Sequence, residues 1–412
     1  MSSTRARELV RAWLGTTDPE AIGAVYAGLR AAGPLVRTPW GAQVVPGYAD
    51  VRRALVDPAL VMLDSSWRDG RTPGWRDSPA TAALCDSLLM QNPPEHPVNR
   101  RPVVAAFTAR SVAALDGPIR ARVAAAVDDF ARTLRQDGAA DLIGDLCRPL
   151  PAAVLCRLAG FPGRDAAWLA ELAAVLSTGG EIRRPLDELR AADRAAGELL
   201  RYFGESADSR EPAPGVGPFD TGQLFALVAA GLITSTHLLG NLCDRLLRTA
   251  PDDLAAATAP GHRAALIEET LRWDPPVKLA TRRAARRTTV AGLEIPAGTV
   301  LHLMIGAAHR DPAHYPDPDV FAPGRDHRPG FPFGHGGHFC PGAALARAQA
   351  EVFLEHFAAH LPDLRPSGPL RRRTGPSFTE PVGLPVVRRL PAPRPAPSRG
   401  EVVRLSPHGG LR

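Results

Sequence analysis

Residues 331–353 read FPFGHGGHFCPGAALARAQAEVF, a loop dense in glycine that carries one thiol, Cys340, and runs straight into an alanine-rich helical stretch. Pro341 follows the cysteine and is placed near the first turn of the helix, where a missing N–H costs least. A thiol at that end of a helix meets the positive end of the helix dipole and free backbone N–H groups. Both favour the thiolate, the form that attacks or binds metal. Gly334, Gly336 and Gly337 allow tight turns and the close approach of a flat object. His338 adds a polar handle, and Phe333 and Phe339 add ring surface. Three functions fit such a thiol: a nucleophile, a redox centre, or an axial ligand to haem iron. A nucleophile wants a positioned base and a redox thiol a partner, and neither need explains the spacing of the glycines and the histidine.

The 412-residue chain is long enough to bury a large core as one big domain or two ordinary ones. Apolar residues make up 45% and charged residues 22%, the profile of a globular protein in water. No uninterrupted apolar run reaches the roughly 18 to 20 residues of a membrane span. The N-terminal MSSTRARELVRAWLG has no signal-peptide core and reads as an amphipathic helix, so a cytoplasmic protein without membrane association is expected. The five cysteines stand at wide spacings with no C-x-x-C, so free thiols are expected, four of them in apolar surroundings. The formal charge is +6, but residues 391–412 hold four arginines against one glutamate, so half of it lies in the tail. No aromatic residues interleave with those charges, which argues against a nucleic-acid partner.

The pattern along the chain is mainly α with a minor β part. Residues 35–46 read as two short strands around a Trp-Gly turn, and 288–304 as short strands joined by Ala-Gly and Pro-Ala-Gly turns. From about 47 to 270 the spacing is mostly helical, with loops at 70–79 and 209–220. After Asp220 or Thr221, good N-caps, nearly thirty residues run without proline and are apolar on almost every face until Asn241. That predicts a long helix through the interior. Residues 1–390 are expected to form one domain, and 391–412, with five prolines, a disordered tail.

The run Phe333-Gly334-x-Gly336-x-His338-x-Cys340-x-Gly342 resembles the haem loop of cytochrome P450 in all six fixed positions. Glu269-x-x-Arg272, alone a common helical pair, lies some seventy residues before the thiol, where the family carries a structural ion pair. Arg325 is the candidate third member. In QNPPEHPVNRR, His96 and Arg100 share one helix face and resemble the family's propionate-binding entry to a helix, with Asn92 in place of the usual Asp. Arg282 and His338 match the other propionate donors, with Arg283 an alternative to Arg282. His309 stands where the family usually has Asn. The resemblance runs from about residue 15 to 390. It implies a triangular, mainly helical single domain with haem b between the long helix and the Cys340 loop. Phe333, Gly334 and Gly342 would shape that loop, and O2 would be co-substrate. Electrons would come from a separate ferredoxin and ferredoxin reductase, and a monomer is expected.

One departure bears on chemistry. Where the family carries A-G-x-(Asp/Glu)-Thr on the long helix, this chain reads Ala230-Gly231-Leu232-Ile233-Thr234-Ser235. Ala230 and Gly231 leave room and Thr234 matches the alcohol, but Ile233 holds no proton. A relay through water or Ser235 would keep ordinary hydroxylation. Alternatively, the product is formed by oxidative C–C or C–N coupling, since this run and HFCPG resemble P450s that act on aromatic cyclic dipeptides. Substrate contacts by position are Leu227, Val277, Leu279 and Phe378, with core packing the competing reading for each. Trp67, Trp75, Leu88 and Met90 fall in the variable roof. A non-catalytic P450-like activator of a partner enzyme is the rival reading. Retention of Cys340, Glu269 and Arg272 opposes it, and a haem sensor would need an effector domain that the sequence does not display.

Overall fold

The structure, a computed structural model, describes residues 3–178, 181–182, 185–249, 254–326, 329–373 and 375–388. The proline-rich tail expected at 391–412 lies outside the described residues.

Helices dominate, as the alanine- and leucine-rich spacing predicts, and the described strands form four small sheets. The central helix starts at Asp220, whose carboxylate accepts the Gln223 N–H at 2.8 Å while the Gln223 side chain accepts the Asp220 N–H at 3.0 Å. This reciprocal cap satisfies two donors that a helix start would otherwise leave unpaired. From there Thr221–Arg248 is long and apolar enough by composition to cross a membrane, more so than the sequence reading allowed. Yet 67% of its most apolar stretch is buried inside the protein. It is the axis of the largest apolar core, with Leu224, Val228, Leu232, Leu239, Leu242 and Leu246 nearly inaccessible. Gly240 marks its tightest packing: a Cβ there would stand 2.8 Å from Ile143 Cδ1 and 3.0 Å from Pro381 Cγ.

The helix is not uniform, a detail the spacing did not predict. Between Thr221–Ala226 and Ile233–Thr249 the backbone widens into a π-helical stretch, Leu227–Leu232. Such widening is concentrated at functional sites, and here it coincides with Ala230 and Gly231.

The main sheet has the spatial order Val36–Arg37, Gln43–Val45, Val300–Leu303, Ala280–Ala284, Leu60–Val61. Only Gln43–Val45 against Val300–Leu303 is parallel, with Gln43 opposite Leu301. A second apolar cluster packs residues of this sheet against Tyr48, Tyr315 and Phe331, and a third joins it to the N-terminal helices through Trp13, Tyr26 and Leu29. The hairpin Thr288–Val290 with Leu293–Ile295 turns on Ala291 and Gly292 at φ 53° and 76°, the left-handed pair that matches strand twist. After the thiol loop the helix begins at Ala343 with Gly342 as N-cap, so Pro341 sits in the preceding turn rather than inside the helix.

Candidate active site

Cys340 is held by its loop's own backbone. Its N–H donates to Phe333 O at 2.8 Å, and Gly334 N–H donates to Phe331 O at 2.9 Å. Gly334 and Gly336 lie at φ 75° and 74°, where a side chain is strained. A Cβ on Gly336 would also meet Val56 Cγ1 at 3.0 Å. Burial pushes the thiol up, while the Gly342 N–H and the charges of Arg100 and Arg347 act in the opposite direction. Cys85, Cys147, Cys156 and Cys243 are buried, and Cys340 alone is partly accessible. Arg347 lies over the Phe333 ring, 4.5 Å from its centroid, and pairs with Glu268 at 2.5 Å.

Four basic groups converge beside this loop. The rings of His96 and His338 stack with centroids 3.9 Å apart. Burial, then His96, Arg282 and Arg100, drive His338 down to about 3. Burial, then Arg100 and Arg282, also lower His96, whose Nε2 is buried with no hydrogen-bond partner among the described residues. Arg282 is 6% exposed, and burial pulls its guanidinium down to about 10. It donates to the carbonyl of neighbouring Thr281, at 2.9 Å. Arg100 donates to Phe339 O. Buried cations are ordinarily paired, so a cluster of donors with no carboxylate against it is a site shaped for an anion. Arg283, the alternative to Arg282, is already engaged with Asp64 at 3.4 Å. Asn92 accepts the Met62 N–H at 2.8 Å and donates to Asp64 at 2.7 Å. An aspartate at position 92 could not make the second bond, which accounts for the amide.

Behind the loop, Glu269 accepts from Arg272 Nε and Nη2, both at 2.8 Å, and from the Ala322 N–H at 2.7 Å. Arg325 Nε lies 3.4 Å away. Arg272 spends its remaining donors on the carbonyls of His309, Pro318 and Val320. The Glu269–Arg272 pair thus fixes the chain from 309 to 325, which leads into the thiol loop. His309 accepts the Phe331 N–H at 3.0 Å, tying that segment to the loop itself.

Along the central helix, Ala230, Thr234 and Ser235 are half-buried and Gly231 is exposed, within a helix otherwise closed by packing. A Cβ added to Gly231 would meet nothing within 4 Å. That face therefore borders open space, while Ile233 is 4% exposed. Thr234 Oγ1 donates to Ala230 O at 2.7 Å. Of the positional substrate contacts, Leu227 lies in the main core and Leu279 in the N-terminal cluster. Val277 packs against the sheet cluster, and Phe378 is half-buried with its ring 6.4 Å from that of His237. In the roof, Trp75 and Leu88 are buried, whereas Trp67 and Met90 are half-buried.

A sequence model of the family described as Cytochrome P450 matches residues 264–361. The chain is 34% identical over 362 residues to the cytochrome P450 monooxygenase PikC of Streptomyces venezuelae, covering 82% of this chain and 83% of that one. This chain belongs to the cytochrome P450 family. Among solved structures, P450BioI in complex with an acyl carrier protein ligated to hexadec-9Z-enoic acid superposes with a TM-score of 0.81 at 25% identity, covering 90% and 99% of the two chains. CxnD, a P450 enzyme for C–S bond formation in chuangxinmycin biosynthesis, gives 0.76 at 28% identity, covering 91% and 96%.

As a P450 the chain is an oxidoreductase, and the family implies a haem with thiolate ligation and the use of O2. The residues present fit that group. A partly accessible thiol faces Arg100, four donors await an anion, and open space borders Gly231. Sequence reasoning missed one polar residue of this region, His237, one turn beyond Thr234 and 1% exposed. Its only sequence signal was a histidine within a helix apolar on nearly every face.

Proposed function

We propose that this P450 binds haem b through Cys340 and oxidises a small cyclic or aromatic molecule of specialised metabolism in the cytoplasm. It would work as a monomeric domain of residues 1–390, fed by a ferredoxin and its reductase. The observation that carries the reading is the cluster of His96, Arg100, Arg282 and His338 beside Cys340, basic groups with no acid among them. Two propionates would satisfy these donors and the orphaned His96 nitrogen. Bound there, haem supplies oxidation by O2 with two electrons, and the thiolate's electron density favours O–O cleavage.

The chain's own part is positioning. Phe333, Gly334 and Gly342 shape the loop so that nothing bulky stands between the Cys340 thiol and a flat ligand. Glu269, Arg272 and Arg325 hold the approach to that loop and do no chemistry. Ala230 and Gly231 leave room above it, and Thr234 presents a hydroxyl whose proton is engaged by Ala230 O. With Ile233 in place of an acid, water or Ser235 must hold the protons that the family's carboxylate would carry. Hydroxylation and C–C or C–N coupling of a cyclic dipeptide are both compatible with that wall, and CxnD is a P450 for C–S bond formation.

Two measurements test this. The reduced, CO-bound wild type should show the red-shifted band of thiolate-ligated haem and Cys340→Ala should lose it. A variant that keeps the band overturns the ligand assignment. Optical titration of the ferric protein with aromatic cyclic dipeptides should give a saturable high-spin shift. Silence across that class with a response to a macrolide, steroid or fatty acid would refute the substrate class.

A further inference from the structure

We propose that His237 is a positioning residue that holds an ordered water against the Thr234 hydroxyl, doing by a helix-face route what a carboxylate at position 233 would otherwise do. The inference rests on Thr234 lining the haem cavity, as proposed above.

Thr234, His237 and Asn241 stand at i, i+3 and i+7 and so share one face of the central helix. Their exposure falls along that line, from half-buried Thr234 to His237 at 1% and Asn241 at 2%. Neither ring nitrogen of His237 has a hydrogen-bond partner among the described residues, nor has Asn241 Oδ1. Three orphaned polar atoms on two adjacent, fully buried side chains are rare, because buried polar groups in native proteins bond to protein or to ordered water. Most of the surroundings is already committed. Asn241 Nδ2 donates to Asp274 O at 2.9 Å. Asp274 Oδ1 pairs with Lys278, its Oδ2 lies 3.0 Å from Arg372 with no hydrogen bond among the described residues, and Arg373 pairs with Glu380. The ring of Phe378 stands edge-on to the imidazole, with centroids 6.4 Å apart.

The donor and acceptor inventory then fixes the arrangement. Burial, followed by Arg372, Lys278 and Arg373, brings His237 to about 3, with Asp274 acting the other way, so the imidazole is neutral and carries one N–H and one acceptor nitrogen. The N–H suits a water that in turn donates to Asn241 Oδ1. The acceptor nitrogen suits a second water, whose other hydrogen reaches the Thr234 oxygen. That oxygen has lone pairs to offer, since its own hydrogen goes to Ala230 O at 2.7 Å. Residues at i and i+3 are about 5–6 Å apart at Cβ, a span one water bridges. Ile233, four residues before His237 on the same helix, has no polar atom to offer and takes no part.

The test begins with a crystal structure of the substrate-free holoenzyme. Density for a water within about 2.7–3.2 Å of both a His237 nitrogen and Thr234 Oγ1 is expected. A dry site, or a His237 bonded directly to another protein group with no such water, overturns the proposal. His237→Leu, compared with His237→Gln, which keeps one donor and one acceptor, supplies the functional arm. The leucine variant should raise the peroxide formed per electron about tenfold, the low end for residues that act through the groups at a metal centre. It should also change the solvent isotope effect, with glutamine restoring both. Equal peroxide and isotope effects in wild type and His237→Leu refute the role. Should the leucine variant fail to fold, the wild-type density and the glutamine variant decide. The CO-bound spectrum of each protein is read in parallel, so that failure of the haem-thiolate reading shows there and not in the water.

Discussion

Glu269→Gln changes one atom and removes the only acid from a buried cluster of donors. In the wild type the carboxylate takes two bonds from Arg272 at 2.8 Å each and one from the Ala322 N–H at 2.7 Å, with Arg325 3.4 Å away. Glutamine offers one acceptor oxygen, and its amide N–H groups face donors, so one of these bonds must be lost. The guanidinium of Arg272, only 6% exposed, is then left without a counter-charge. Removing one partner of a buried pair costs about 3–5 kcal/mol. Single bonds to charged groups are worth about 1.5–3 kcal/mol, so the lower figure already corresponds to losing one or two of them. A loss of about 3 kcal/mol multiplies the unfolded population by more than 100, at about 1.4 kcal/mol per decade. Urea unfolding of the holoenzyme, followed by far-ultraviolet dichroism and by haem absorbance, measures it. The haem signal should be lost first, because the cluster holds the segment leading into the thiol loop. A loss of stability below about 1 kcal/mol would mean that the three bonds do not act as described. A double variant with Arg272→Gln should cost less than the sum of the single ones, with a coupling of about 0.5–3 kcal/mol.

Three further outcomes are expected. Gly240→Ala forces a methyl to 2.8 Å from Ile143 and 3.0 Å from Pro381, so thermal unfolding should show a loss of about 1–3 kcal/mol despite the better helix propensity of alanine; a gain would show that the neighbours yield freely. Burial holds His302 at about 4, below the ordinary 6.5, where it accepts from Trp40 Nε1 at 3.2 Å. Between pH 6.5 and 4 the unfolded chain binds a proton there and the native chain does not, so this contribution to stability is present above 6.5 and falls as pH drops. The slope is up to about 1.4 kcal/mol per pH unit, and His302→Gln should flatten it in acid titrations of the unfolding midpoint; an unchanged slope would count against the assignment. Ile233→Asp places a carboxyl next to Thr234 in the chain, where burial favours its protonated form, and should change the division of electrons between product and peroxide. Identical turnover, product and peroxide would show that the missing acid carries no consequence.

The thiol loop and the Glu269–Arg272 pair were legible because short local patterns resemble those of a known family. Glycines at left-handed φ, a cysteine before a helix and two charges three residues apart all lie within one short window. The long central helix was legible from its apolar spacing, but its π-helical stretch was not, because an apolar run reads the same for either winding. The choice between Arg282 and Arg283 needed tertiary contact, since only the structure shows Asp64 engaging the second. Arg310 is a similar case. Its guanidinium is buried and bonds the carbonyls of Pro19 and Trp273 and the carboxylate of Asp319, three partners far apart in sequence. His237 belongs with these, because the charges around it, Asp274, Lys278, Arg372 and Arg373, lie 37 or more residues away in sequence.

The neighbouring carboxylates Glu268 and Glu269 leave the Pro260–Trp273 helix in different directions, one to Arg347 in the helix after the thiol, the other to Arg272 and the segment before it. Consecutive helical residues do not face the same way, so each partner is assigned by angle as well as by charge. Inserting or deleting a single residue upstream within that helix would rotate the two acids by about 100° and present each to the wrong neighbour. This turn tolerates drift in side chains far better than drift in length, whereas the exposed stretch 70–74 carries no comparable phase. Variation among natural or engineered versions of this chain should therefore accumulate as substitutions here and as insertions there.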